Sequence, residues 1–218
     1  MIKIIVFDFD GTLVDSNEIK EDLFFHVGEE YFPESSSIMS KILNDSNYKT
    51  RKDIFREFYN ACISQKTNYS SASEVVTEMI DSYTHLAEKS VIKAEEIEGA
   101  GMALERLNNN YPLFINSATP SNTLKNIIYE RDWLHYFKEI YGSDNSKVDN
   151  LKKICLSMNE EPANALMIGD SEADYDCSRS IGSEFFGYKY SYNDEHVVLH
   201  SLSEIESRIS CLNQPESD

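Results

Sequence analysis

The chain has 218 residues, enough to bury a sizeable core in one domain, or in a domain that carries an insertion. Its formal net charge of -18, with no local cluster of Lys and Arg, argues against nucleic acids and anionic membranes as partners. No apolar run could span a bilayer, and the four cysteines lack the spacing of a zinc site or a disulfide framework. We therefore expect a cytoplasmic globular protein with free thiols.

Short β-branched and aromatic runs alternate with segments of helical period, which is typical of a mostly parallel sheet with helices on its faces. The pattern predicts strands at residues 2–7, 113–116, 139–141, 165–168 and 184–186, with a last short strand at 197–199. The predicted fold class is therefore α/β, with a doubly wound sheet.

The stretch 17–89 differs from the rest of the chain. It is rich in charged and aromatic residues at helical spacing and contains no convincing strand pattern. It predicts an α-helical domain inserted after the first strand, so that the core comprises residues 1–16 and 90–218. The most basic part of the insertion, residues 47–52, includes Lys49 and Arg51 and is a hypothetical contact for an anionic substrate.

Polar residues follow three of the predicted strands. Asp8 and Asp10 follow the first, Ser117 follows the second, and Asp170, with Asp174 nearby, follows the fourth. Ligands of open α/β sheets bind at the carboxyl ends of the strands, so these side chains should converge. Crowded carboxylates need a cation, and an all-oxygen set without His or Cys favours Mg²⁺ over zinc.

Four segments in chain order, DFDGTLVDS, INSATP, SKVDNL and MIGDSEAD, closely resemble the four motifs of the haloacid dehalogenase-like (HAD) hydrolase superfamily. The resemblance is greatest to its phosphoglycolate phosphatase-like branch, which has a helical cap. It implies a Rossmann-like core, a Mg²⁺ cofactor and hydrolysis of a small phosphorylated metabolite, a phosphate monoester. In many relatives proline follows the third-motif lysine, whereas Val148 follows Lys147 here; Lys152 and Lys153 are the alternative alignments.

The resemblance also implies roles for the carboxylates. Asp8 would attack phosphorus and form an aspartyl phosphate, which splits one displacement into two easier ones. Asp10 would act as general acid and base, a task that requires a raised pKa. Mg²⁺ would be held by Asp8, the Asp10 carbonyl and Asp170, with Asp174 fixing the geometry from nearby.

Phosphate binding is implied for a second group of residues. Ser117 and Lys147 would hold the phosphoryl oxygens, with Ala118 beside them, and backbone amides around Phe9 and Gly11 would complete the cradle.

Other activities within the superfamily can be weighed against single residues. Dehalogenases lack the second aspartate of the first motif, so Asp10 argues against that chemistry. A phosphonatase would need a cap lysine for a Schiff base, for which Lys20, Lys41, Lys49 and Lys52 are available. A phosphosugar mutase shares the same core residues, and a catalytically silent binding module is the alternative outside enzymes. The sequence leaves the substrate and the oligomeric state open.

Overall fold

A computed structural model describes residues 1–44, 50–63, 72–191 and 196–213 of the chain. Within these residues six strands form one sheet, in the order β3-β2-β1-β4-β5-β6, and each neighbouring pair is parallel. The strands are β1 (Ile4–Phe7), β2 (Leu113–Asn116), β3 (Phe137–Tyr141), β4 (Ala165–Gly169), β5 (Glu184–Tyr188) and β6 (Val197–Leu199). The predicted α/β class is confirmed, and so is the short last strand.

Helices connect the strands and flank the sheet. The α-helices are α1 (Asn17–Tyr31), α2 (Ser36–Asn44), α3 (Arg51–Ile63), α4 (Ala72–Lys93), α5 (Ala100–Asn108), α6 (Ser121–Glu130), α7 (Lys147–Met158), α8 (Glu172–Ile181) and α9 (Ile205–Leu212). Short 3₁₀ turns lie at Leu134–Tyr136, Pro162–Asn164 and Leu202–Glu204.

Strand β1 lies in the middle of the sheet. Val6 is opposite Phe114 of β2 on one side and Met167 of β4 on the other. All four β1 residues are fully buried, as expected for a parallel strand covered on both faces. The carboxyl ends of β1, β2 and β4 therefore lie side by side at one edge.

One face of the sheet packs against α7 and α8. Ile4 and Val6 of β1 share a hydrophobic cluster with Leu151 and Ile154 of α7 and with Cys177 of α8. Since α7 follows β3 and α8 follows β4, both helices begin at the carboxyl edge of the sheet. Residues in their first turns are thereby brought to that edge.

Four strands differ in length from the prediction. Strand β3 begins two residues earlier, at Phe137, and β4 ends one residue later, at Gly169. Strand β1 begins at Ile4 rather than at residue 2, because Ile2 N donates to Asn213 Oδ1 (2.9 Å) and Lys3 N donates to Asn164 O (2.8 Å). Strand β5 continues to Tyr188 because β6 pairs with its last three residues.

The chain packs as two compact units, Met1–Ser16 with Ala94–Asp218, and Asn17–Lys93. The second unit consists of α1 to α4 around its own cluster of buried residues, which includes Phe55, Phe58 and Met79. Helix α4 continues four residues beyond the expected boundary at Lys89, because Tyr83, Ala87 and Val91 recur at every fourth position and all are buried.

The basic segment 47–52 lies only partly within the described residues, and Lys49 lies outside them. Arg51 donates to Thr84 Oγ1 (2.7 Å), and its guanidinium carbon lies 4.5 Å from the ring centroid of Tyr83. The Arg51 side chain therefore contributes to packing within the helical unit. None of the described helices combines the length and the apolar character that crossing a membrane requires.

Candidate active site

The loop after β1 begins with Asp8 at the carboxyl edge. Asp8 N donates to Ile168 O (2.8 Å), which continues the β1–β4 ladder by one residue. The chain then turns sharply, with Gly11 N donating to Val14 O (2.8 Å). Gly11 has a φ of 75°, a left-handed conformation that glycine adopts without steric cost. The Asp-Gly sequence thus makes the turn that keeps the Asp8 carboxylate at the sheet edge.

Two residues expected to offer backbone amides to phosphate belong to this turn. Phe9 is fully buried, and its carbonyl accepts from Leu13 N (2.9 Å) and Val14 N (3.1 Å). The Gly11 amide is paired with Val14 O, so in this structure it stabilises the loop.

The Asp10 carboxylate is surrounded by hydroxyl groups. Ser16 Oγ donates to Oδ1 (2.7 Å) and Thr119 Oγ1 donates to Oδ2 (2.8 Å), while Ser117 Oγ is 3.5 Å from Oδ2. Ser117 also accepts from Thr119 N (3.1 Å), and Ala118 between them is exposed. The ends of β1 and β2 are thereby joined through Asp10.

The end of β4 supplies two more carboxylates. Asp170 accepts a hydrogen bond from Thr12 Oγ1 (3.1 Å). Asp174, in the first turn of α8, is fully buried and accepts from Ser171 Oγ (2.5 Å). A Cβ at Gly169 would lie 2.4 Å from Asp174 Oδ2, so the Asp174 carboxylate lies directly against the glycine backbone.

Lys147 is the first residue of α7, and its side chain reaches this cluster. Its Nζ lies 2.5 Å from Asp174 Oδ1 and 3.1 Å from Asp8 Oδ1. Lys152 and Lys153, the alternatives for the third motif, are exposed on the same helix. The structure brings Lys147, and neither of the other two, against the carboxylates.

Burial and neighbouring charges together shift the pKa values of Asp8 and Lys147. Burial raises the pKa of Asp8 well above its ordinary value, and the neighbouring Asp174 raises it further, while Lys147 opposes the shift. Burial tends to lower the pKa of Lys147, but Asp8 and Asp174 raise it above the ordinary lysine value. Lys147 therefore stays protonated and provides a fixed positive charge beside Asp8.

The carboxylates form a set that fits a hard cation. Asp8, Asp170 and Asp174 each present an oxygen within 4.8 Å of the others. Asp10 lies close enough to interact electrostatically with Asp8, so a single Lys147 ammonium faces four carboxyl groups. Oxygen donors with excess negative charge are the environment that Mg²⁺ prefers in proteins, and the residues present therefore fit this ion.

Sequence reasoning predicted the charged residues that meet at this edge but missed the neutral residues that hydrogen-bond to them or to their supports. These are Thr12, Ser16, Asn116, Thr119, Asn150 and Ser171. All six stand within five residues of a predicted carboxylate or phosphate ligand, and that proximity was the available signal. Asn150 lies three residues after Lys147, one helical turn on, where a buried amide is unusual.

The parallel sheet and its cluster of carboxylates and lysine at the carboxyl edge define a Rossmann-like α/β protein with an acidic centre whose residues fit a cation. The family model described as haloacid dehalogenase-like hydrolase matches residues 5–188, and the chain belongs to this family.

Relatives whose function is named are distant in sequence. A phosphoglycolate phosphatase of Psychrobacter arcticus is 24% identical over 204 residues, which cover 88% of this chain and 85% of the relative. Among solved structures, a haloacid dehalogenase-like family protein from Streptococcus pneumoniae superimposes with a TM-score of 0.69 at 22% identity, covering 95% of this chain and 98% of that chain. A HAD-hydrolase from Bacillus subtilis, bound to magnesium, gives a TM-score of 0.72 at 16% identity, with coverage of 96% and 99%. These structures share the fold.

Proposed function

We propose that the protein is a Mg²⁺-dependent phosphatase that hydrolyses a small organic phosphate monoester through an aspartyl phosphate on Asp8. The observation that carries this proposal is the contact of the buried Asp8 carboxylate with Lys147, 3.1 Å away, in a cluster with the carboxylates of Asp170 and Asp174. A buried carboxylate beside a fixed cation is suited to attack an anionic phosphoryl group, because the cation reduces the repulsion between them.

In the first half of the reaction an Asp8 oxygen attacks phosphorus in line, and the bond from phosphorus to the leaving oxygen breaks. Asp10 gives its proton to that oxygen, so the product leaves as a neutral alcohol. The Ser117 hydroxyl and the Lys147 ammonium hold the phosphoryl oxygens while negative charge develops on them.

In the second half water attacks the phosphorus of the aspartyl phosphate. Asp10, now ionised, accepts a proton from that water, and the bond from phosphorus to Asp8 breaks. Inorganic phosphate is released and the Asp8 carboxylate is restored. The hydroxyl groups of Ser16 and Thr119 orient Asp10 for both proton transfers, since each donates to one of its oxygens.

The cofactor belongs to the same carboxylate cluster. Mg²⁺ bound by Asp8, the Asp10 carbonyl and Asp170 would neutralise charge on the phosphoryl oxygens. Asp174 orients the site, because one of its oxygens contacts Lys147 and the other accepts from Ser171.

We base the proposed substrate class on the named function of a relative and on the position of the helical unit in the chain. A phosphoglycolate phosphatase aligns with most of this chain, which makes small phosphorylated carboxylic acids the first compounds to test. The helical unit Asn17–Lys93 follows the first motif, which is the position of the cap in the phosphoglycolate phosphatase-like branch. We assign substrate selection to this unit.

The proposal is tested by inorganic phosphate release from p-nitrophenyl phosphate and from a panel of metabolite phosphates that includes phosphoglycolate, with Mg²⁺ or with EDTA. We expect metal-dependent turnover in the wild type and none in Asp8→Asn, because the amide cannot act as the nucleophile. Asp144→Asn, an exposed position with the same change of charge, serves as the control and should keep wild-type activity. Turnover that persists in Asp8→Asn, or in EDTA, would contradict the mechanism.

A further inference from the structure

Two asparagines are completely buried between the end of β2 and the first turns of α7. Asn116 is the last residue of β2, and Asn150 is the fourth residue of α7. Buried amides cost free energy unless their donors and acceptors are paired, so each such residue needs an explanation.

The two side chains form a relay that ends on the backbone of Lys147. Asn150 Nδ2 donates to Gly142 O (2.9 Å) and to Asn116 Oδ1 (3.1 Å), and Asn116 Nδ2 donates to Lys147 O (2.8 Å). Because Asn150 faces two acceptors, its NH₂ group must point toward them, and this fixes the orientation of both amides. The first turn of α7 is thus tied to β2 and to the loop after β3.

The relay connects residues that the proposed mechanism uses. Asn116 directly precedes Ser117, so one side chain links the strand end that carries Ser117 to the residue that carries the ammonium. The Lys147 Nζ contacts with Asp174 and Asp8, at 2.5 and 3.1 Å, depend on where α7 begins. Misplacement of a charged group by about 1 Å can cost as much as a hundredfold in rate.

The relay is not an optimal filling of the core. Asn150 Oδ1 is buried and has no hydrogen-bond partner among the residues that the structure describes. An apolar pair of similar shape would avoid that loss of hydration, so stability alone does not account for the two amides.

We propose that Asn116 and Asn150 are positioning residues that hold Lys147 against Asp8 and Asp174 and in register with Ser117. This inference rests on the proposed function, in which Lys147 binds the phosphoryl group. The relay acts through the backbone of Lys147, and neither asparagine touches substrate.

The first test measures the chemical reactivity of Lys147 directly and does not depend on catalytic activity. Full-length wild type, Asn116→Leu and Asn164→Leu are treated with acetic anhydride, and acetylation of Lys147 is followed by mass spectrometry. We expect slow acetylation in the wild type, where two carboxylates hold the ammonium, and several-fold faster acetylation in Asn116→Leu. Asn164→Leu is the matched control, since Asn164 donates to Glu160 (2.8 Å) before β4, and it should behave as the wild type.

The second test is a double-mutant cycle on kcat/KM for p-nitrophenyl phosphate. Asn116→Leu should lower kcat/KM about tenfold or more in the wild-type background, and should cause no further loss in Lys147→Met. Asn164→Leu should leave kcat/KM unchanged in both backgrounds. A merely structural role predicts losses that multiply in the double variant.

Unchanged Lys147 acetylation in Asn116→Leu, or losses that multiply with Lys147→Met, would overturn the inference. Absence of phosphate release from the wild type would overturn the proposed function instead, and the acetylation contrast would still decide whether the relay holds Lys147. If Asn116→Leu fails to fold, Asn150→Ser interrupts the relay without added volume and takes its place in both tests.

Discussion

Gly169 is the last residue of β4, and a side chain at this position would collide with the site. A Cβ there would lie 2.4 Å from Cγ and Oδ2 of Asp174, which is far inside van der Waals contact. The Asp174 side chain cannot easily move away, because it is fully buried and hydrogen-bonded to Lys147 and Ser171. The glycine therefore allows the carboxylate to approach the end of the strand.

We expect Gly169→Ala to displace Asp174 and, with it, Lys147. The predicted cost is about 1–3 kcal/mol in the free energy of unfolding, measured by urea denaturation. Phosphate release should fall by about a hundredfold, as for other small displacements of catalytic groups.

The control for this prediction is Gly101→Ala. A Cβ at Gly101 would meet the far end of the Glu96 side chain, at 3.1 Å from Oε2, and Gly101 lies within α5, where alanine is favoured over glycine. That variant should be as stable as the wild type or slightly more stable. Equal losses in the two variants would contradict the explanation given for Gly169.

Thr119 tests the orientation of Asp10. Thr119→Val keeps the shape of the side chain and removes the hydroxyl that donates to Asp10 Oδ2 (2.8 Å). A hydrogen bond to a charged group is worth about 1.5–3 kcal/mol, so kcat should fall about tenfold to a hundredfold. KM should change little, because the hydroxyl acts on the acid–base group. A fall in kcat/KM carried entirely by KM would assign Thr119 to substrate binding.

The charged part of this site could be predicted from sequence, whereas its neutral part could not. Asp8, Asp10 and Asp170 stand within three residues of the ends of predicted strands, and parallel strands bring their carboxyl ends to one edge. Whether a hydroxyl or amide finds its hydrogen-bond partner depends on side-chain geometry that strand prediction does not contain. Asn150 is the clearest example, because its partners lie in β2 and in the loop after β3.

At the scale of elements, the sequence located each strand of the sheet but not their order. The strands are apolar runs bounded by polar or turn-forming residues, which periodicity detects. The order β3-β2-β1-β4-β5-β6 depends on pairings between distant segments, such as Ile5 with Leu113. The strand ends differ from prediction where a neighbour takes or supplies hydrogen bonds, as for Ile2 and Asn213.

The four cysteines differ in their exposure to solvent, because helix packing buries some of them. Cys62, Cys155 and Cys177 are buried, while Cys211 in α9 is exposed. We expect one thiol to react rapidly with Ellman's reagent in the native protein and the other three only after denaturation. Cys211→Ser should remove the rapid phase. A rapid phase of more than one thiol would show that α7, α8 or the helical unit opens on the timescale of the reaction.

Cys177 in α8 also predicts a dependence of stability on pH. Burial raises the pKa of Cys177 to about 12 from an ordinary value of 9.0. The folded state therefore holds this proton more tightly than the unfolded state, and the free energy of unfolding should fall as pH rises from 9 toward 12. Cys177→Ala should show a shallower decline in urea denaturation at the same pH values. Parallel curves for the two proteins would contradict the shift.

The whole molecule carries a net charge of -18, and the carboxylates of the site add to this negative charge rather than offsetting it. A divalent cation that binds only the folded protein stabilises it by mass action, about 2.7 kcal/mol at a hundred times its Kd. We expect Mg²⁺ to raise the melting temperature by about 5–10 °C at that excess. Asp170→Asn should abolish most of this response, and Asp144→Asn, with the same change of charge at an exposed position, should keep it. An equal response in both variants would indicate general screening of charge.

The central position of β1 has a consequence for synthesis of the chain. The strand that carries Asp8 leaves the ribosome before both of its neighbours, which are β2, at residues 113–116, and β4, at residues 165–169. The helical unit Asn17–Lys93 has its own hydrophobic cluster and largely local contacts, so it can fold while β1 is still unpaired. The nascent chain therefore exposes an apolar strand, Ile4–Phe7, until β2 and β4 have been translated, and we expect chaperones to bind it during that interval.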